Sequence, residues 1–129
     1  IPVALDHDNV LMRKLALADQ LLEEGGRITL LTVLENVPGF VAEMVTVREE
    51  NHLVAKVRER LEAARGDRTD IDIAVETGKA GVVIAQYAER HDVDLVIVAS
   101  HKPGLQDYFL GSTAARVSRR APCSVYILR

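Results

Sequence analysis

Gly111, Ser112 and Thr113 stand together at the start of a segment with helical periodicity, Thr113 to Ala121. The first turn of a helix leaves backbone N–H groups without intrahelical acceptors, and the aligned peptide dipoles add partial positive charge there. A glycine lets a ligand come close to the backbone, and the two hydroxyls add donors. Such a corner can hold a phosphate without net positive charge on the protein. Lys102, earlier in the same loop, offers a point charge. The same residues also have a plainer reading. Ser or Thr ahead of a helix is a common N-cap, and glycine is accepted there too. No Walker lysine follows the glycine and no G-x-G-x-x-G occurs, so spacing alone leaves both readings open.

Asp6 follows the first apolar run, Ile1 to Leu5. A carboxylate at the carboxyl end of a strand can accept hydrogen bonds from ribose hydroxyls. Asp6, Asp8 or Asn9 could equally cap the next helix. Asp6 with Asp8 also has the look of a phosphoacceptor pocket, but no later strand ends in an aspartate to take the phosphoryl group. His7 and His101 fall near the same loops, yet their spacing fits no metal motif. His52 and His91 lie on helical segments, on faces expected to be solvated. So do Arg48, Glu49, Glu50, Arg58 and Arg60. Cys123, the only cysteine, can form no internal disulfide and no multi-cysteine metal site. Between Pro122 and an apolar run it reads as a packing residue. No Ser/His/Asp or Cys/His set has a recognisable nucleophile elbow.

These residues need elements to position them. Short apolar runs alternate with longer periodic segments. Strands are expected at Ile1–Leu5, Ile28–Leu34, Ile71–Val75, Leu95–Ala99 and Ser124–Leu128. Helices are expected from Leu11 to the Gly25-Gly26 stop, over Val45–Arg65 up to Gly66, over Ala80–His91, and over Thr113–Ala121 before Pro122. Val47, Leu53, Val54, Val57 and Leu61 supply the apolar positions of the second helix. Glu35 to Met44, with Pro38 and Gly39, reads as a loop. Alternating strands and helices specify an α/β fold with a parallel sheet and right-handed crossovers. In such sheets ligands bind beyond the carboxyl ends of the strands, where the strand order reverses. The first strand delivers Asp6 there, and the fourth delivers Ala99, Ser100, His101 and Lys102.

Composition narrows the classes. A chain of 129 residues with 48% apolar content suits one domain, residues 1–129, with one core. Aromatics at 4%, with no Trp, leave little for base stacking. The net charge of −3 argues against nucleic acid or an anionic membrane surface as partner. No run is long enough to span a bilayer and no signal-peptide pattern is visible. With one cysteine, the cytoplasm is the expected compartment. The chain opens on Ile1 rather than Met, so a few residues are expected to precede it; an intact mass equal to that of the 129-residue chain would contradict this.

The segment "VIVASHKPGLQDYFLGSTAARVSRRAPCSVYILR" closely resembles the C-terminal end of universal stress proteins, most of all the bacterial F/G type. "VALDHD", "ITLLTVLE" and "VETGKAGVVIAQYA" extend the resemblance over essentially the whole chain. It implies an open five-stranded, Rossmann-like parallel sheet in order 3-2-1-4-5 with helices on both faces. It also implies ATP or another adenine nucleotide, with or without Mg, in the crevice between the first and fourth strands. Asp6 would then meet the ribose, Val33 would meet adenine through its backbone, and Ala99, Ser100, His101, Lys102, Gly111, Ser112 and Thr113 would surround the phosphates. A stress-signalling homodimer paired through the C-terminal edge strand, Val125–Leu128, follows from the same resemblance, with at most slow ATP hydrolysis. The departures are specific. Ala99 and Lys102 stand where ATP-binding members carry glycines, Ala4 stands where proline is usual, and the stretch after Asp6 is short. Some members lacking those glycines bind no nucleotide, so a nucleotide-free interaction module is the alternative. A nucleotidyl transferase or ATP pyrophosphatase of similar architecture would carry His-x-x-His or Ser-Gly-Gly-x-Asp, and neither occurs.

Overall fold

Leu11, Leu15 and Ala18 recur at helical spacing, and all three are buried on helix α1 (Asp8–Leu21). The computed structural model describes residues 8–35, 47–100 and 110–129. After α1 come strand β1 (Ile28–Leu34), helix α2 (Val47–Arg65), strand β2 (Ile71–Thr77), helix α3 (Ala80–Arg90), strand β3 (Leu95–Ala99), helix α4 (Ser112–Arg120) and strand β4 (Ser124–Leu128). The expected first strand, Ile1–Leu5, and the expected loop from Asn36 to Met44 lie outside the described residues.

The described strands form two parallel pairs. β1 runs beside β2 from Ile28↔Ile71 to Leu34↔Thr77. β3 runs beside β4 from Leu95↔Ser124 to Ala99↔Leu128. The order 3-2-1-4-5 requires these two pairings of the four described strands; the strand it places between them falls outside the described residues. Side-chain alternation divides the core into two halves. Ile28, Leu30 and Ile97 pack with Leu11, Leu15 and Ala18 of α1 and Leu61 of α2. Leu31, Val96 and Val98 face the other way, against Ile84, Tyr87 and Ala88 of α3 and Ala114 and Val117 of α4. Each half draws on both strand pairs, so one layer of parallel strands carries helices on both faces. This is the α/β class that the alternation specifies.

Two connections show why the chain turns where it does. α2 ends at Gly66, whose φ of +62° places it in the left-handed region and whose N–H donates to the Glu62 carbonyl at 3.0 Å. Gly78, at φ +132°, lets β2 turn into α3 while its N–H donates to the Leu34 carbonyl at 3.0 Å. The β1–β2 pair is thereby tied at its carboxyl end.

Two sequence expectations are corrected. Leu53 is 50% exposed, because the buried stripe of α2 runs through Val57, Leu61 and Ala64, and Leu53 lies outside that stripe. The last helix is Ser112–Arg120 rather than Thr113–Ala121; Ala121 is its C-cap, extended at φ −63° and ψ 138° ahead of Pro122.

Arginines fasten the amino end of the layer. Arg68 holds Asp19 of α1 through two nitrogens (2.7 and 3.0 Å) and Asp70 through two contacts (2.8 and 3.1 Å). Arg27 forks onto both carboxylate oxygens of Asp72 at 2.8 and 3.0 Å. Hydrogen bonds from Arg68 and Arg27 hold the Asp70 and Asp72 carboxyls below the usual carboxylate range.

Candidate functional site

The site is built from the carboxyl ends of the strands. β3 ends at Ala99, a half-buried residue paired with Leu128. Ser100 follows and is buried, its N–H donating to the Leu128 carbonyl at 2.9 Å. Its own carbonyl accepts the Gly111 N–H at 2.6 Å. The loop between them therefore leaves and returns at one point on the layer, and α4 starts at the carboxyl end of β3. Leu31 of β1 and Ala114 of α4 belong to one cluster, against which half-buried Val33 packs. Core packing thus puts β1 and the start of α4 on the same face of the layer.

The N-cap of α4 is Gly111, extended at φ −62° and ψ 154°, with no side-chain capping bond. The first bond of the helix runs from the Ala115 N–H to the Gly111 carbonyl at 2.9 Å. The N–H groups of Ser112, Thr113 and Ala114 precede it and have no acceptor within the helix. No acidic residue lies in the first turn, whereas Arg119 and Arg120 occupy the last. Within α4 the positive end of the dipole has no acidic partner, and the negative end is matched by the two arginines.

Gly111, not a hydroxyl residue, is thus the cap, which is compatible with both readings of Gly111-Ser112-Thr113. Neither Ser112 nor Thr113 is the N-cap; both lie within the first turn, where main chain and hydroxyl offer the same donor chemistry. Gly111 contributes differently from a phosphate donor, because Ser100 already takes its N–H. Of the other candidate residues, Val33, Ala99 and Ser100 lie at the strand ends described above. Asp6, His7, His101 and Lys102 lie outside the described residues.

Sequence reading passed over three features. Lys14 is fully buried on α1, three residues after Leu11 on the same stripe, and its ammonium is engaged. Arg13 reaches from α1 to the Arg129 carbonyl at 2.7 Å, tying α1 to the chain beyond β4. The Thr32 hydroxyl is buried on β1 without a hydrogen-bond partner among the described residues. The i+3 spacing from Leu11 could have flagged Lys14; nothing in the sequence signals the other two. Cys123 is partly buried against the second half of the core, and burial pushes its thiol up, away from the reactive thiolate. Among the described residues no group of His, Cys, Asp and Glu could hold a metal ion, and no helix is long and apolar enough to cross a membrane.

Comparison with known proteins bears on this arrangement. The model of the universal stress protein family matches residues 1–129. A universal stress protein of Methanothermobacter thermautotrophicus is 23% identical over 95 residues, which cover 71% of this chain and 65% of the relative, just under two thirds of its length. Among solved structures, the hypothetical protein MJ0577 superposes with a TM-score of 0.79 at 18% identity, covering 98% of this chain and 94% of that one. UspA from Lactobacillus plantarum gives 0.70 at 19% identity, covering 99% and 97%. A universal stress protein in complex with cAMP gives 0.63 at 22% identity, covering 99% and 94%. At these identities the superpositions speak for the fold alone, and the family match speaks for descent. Parallel strands between two helical layers and a family match over the whole length lead to one conclusion: the chain belongs to the universal stress protein family.

Proposed function

We propose that this protein binds an adenine nucleotide, with ATP as the reference ligand, beyond the carboxyl ends of the expected first strand, Ile1–Leu5, and of β3. The observation that carries the reading is the start of α4. The amides of Ser112, Thr113 and Ala114 lack helical acceptors, and no side-chain cap or first-turn acid competes for them. An anion there gains charge-assisted hydrogen bonds and the helix dipole together. The Ser112 and Thr113 hydroxyls add donors, and Lys102 supplies a point charge whose effect weakens with salt. Asp6 accepts from the ribose, and the backbone at Val33 meets the adenine. Ala99 stands in place of a glycine and adds one methyl group at the mouth of the site. That a family member of similar fold is known in complex with cAMP supports an adenine nucleotide as the ligand class.

The protein's role in this reading is to bind and signal, as a homodimer. The described residues present no group positioned to activate a water, so hydrolysis is at most slow. Magnesium, if it accompanies ATP, is held by the phosphates rather than by a protein cluster. A nucleotide-free interaction module is the competing reading, favoured by Ala99 and Lys102 at the two glycine positions of the family pattern.

Isothermal titration with ATP tests the proposal, and Gly111→Asp is the informative variant. The φ of −62° at this position suits any residue, so aspartate fits the N-cap. Its carboxylate then caps the amides that a phosphate would use and repels the phosphate. The variant is expected to melt no lower than the wild type and to lose ATP binding. Absence of heat from the wild type at millimolar ATP would leave the interaction module standing.

A further inference from the structure

The opposite end of the strands carries a second concavity. Arg27 precedes β1, Asp72 stands second in β2, and Leu95 opens β3; with the end of α1 and the end of α3 they surround a cleft of about 670 Å³. It lies a full strand length, about 16 Å, from the start of α4. Its volume is within the range of small-molecule sites, roughly 300–1,000 Å³. On one wall the rings of Tyr87 and His91 stack with centroids 4.1 Å apart at an interplanar angle of 24°, which leaves the outer face of the His91 ring open. Tyr87 is buried there, beside Thr29 in the lining, while His91 is exposed. The floor is apolar, with Leu22 and Val93.

The charge of the lining is one-sided. Asp72 is neutralised by the Arg27 fork. Glu23, Asp92 and Asp94 also line the cleft and enter none of the ion pairs of the described residues. These carboxylates do not converge as metal ligands would. Their spread suits an extended cation rather than a point charge. A planar guanidinium is also the cation that best stacks on a ring face.

From the cleft, its ring wall and its dispersed carboxylates, we propose that this end of the molecule is a second ligand site, for a small organic cation with a guanidinium or amine on an apolar stem. The guanidinium lies over the exposed His91 ring, which Tyr87 backs, the stem runs over Leu22 and Val93, and the distal ammonium meets Asp92 and Asp94. The site is separate from the nucleotide site in position and in charge.

Agmatine is the probe. Isothermal titration is expected to show saturable sub-millimolar binding, weakened by added salt, with no heat from pentanoate, which has a similar stem and the opposite charge. The Asp92→Asn/Asp94→Asn double variant keeps the shape of the wall. Asn tolerates the positive φ of 50° at Asp92. This variant is expected to melt like the wild type and bind agmatine at least about tenfold more weakly, a loss of roughly 1.4 kcal/mol. His91→Ala, which removes the exposed ring, is expected to weaken binding as well. No saturable binding, or binding unchanged in the double variant, overturns the proposal. Displacement of agmatine by ATP would assign the heat to the nucleotide crevice and also overturn it, while leaving the nucleotide reading intact. Binding by this 129-residue chain but not by the full product of its gene would give the cleft to other residues of the protein itself and would overturn it too.

Discussion

Gly81 shows how a single missing side chain sets helix packing near the site. A Cβ built there would stand 2.7–2.9 Å from Cβ, Cγ and Cδ of Arg116. α3 and α4 therefore approach closely enough that the arginine stem lies across the glycine. Gly81→Ala gains up to ~1 kcal/mol of helix propensity and meets an overpacking penalty of ~1–3 kcal/mol. The expected net effect is a loss of about 1 kcal/mol, a melting temperature lower by about 4 °C. In an Arg116→Gly background, which removes the Cβ as well as the stem, the same change should be neutral or stabilising, and thermal melts of the four proteins check the coupling. A second residue-scale prediction concerns acid. The folded carboxyls of Asp70 and Asp72 titrate below their unfolded value of about 3.9. Their contribution is fully present above the unfolded value and is lost as pH falls through the lower folded one. Urea midpoints should therefore drop between about pH 5 and pH 2. Arg68→Gln should flatten that limb while lowering the midpoint at neutral pH; an unchanged limb would contradict the Arg68–Asp70 linkage.

At the scale of elements, legibility depended on how much the local residues decide. β3 and β4 match their expected bounds because Leu95–Ala99 and Ser124–Leu128 are short apolar runs with sharp polar or proline flanks. The start of α4 was harder to read. Ser112, Thr113 and Gly111 are all acceptable caps, and only the bond from Gly111 to Ser100, a tertiary contact, decides among them. The cap in turn decides what the site can be, so the chemistry of the loop was less legible than its place in the fold. Leu53 marks another limit: periodicity sees an apolar residue beside the stripe, and packing leaves it outside. The Arg68 fork onto Asp19 could not be read from sequence, because it joins segments whose closeness the fold alone creates, whereas the Tyr87–His91 pair is a local i, i+4 neighbour pair at the end of α3. β4 carries the prediction that belongs to this scale. Among the described residues it pairs with β3 alone, and Tyr126 on it is 41% exposed. An unpaired apolar edge favours pairing with another chain. Light scattering at micromolar concentration should give a dimer, and Tyr126→Asp should shift it toward monomer. A monomeric wild type would refute pairing through this strand.

For the whole molecule, function follows from polarity along the strands. The carboxyl end holds backbone amides at the start of α4 that have no acceptor within the helix, and the amino end holds a ring face and carboxylates outside the ion pairs of the described residues. One end suits phosphate and the other suits a cation, although the net charge of −3 announces neither. Amide chemical shifts test the proposed nucleotide site at the carboxyl end directly. Titration of the ¹⁵N-labelled protein with ATP should move the amide signals of Ser112, Thr113 and Ala114 most, with Val33 following and the residues of the amino-end cleft still. Saturating ATP that leaves those three amides in place, or that moves the cleft residues instead, would contradict a phosphate site at the start of α4.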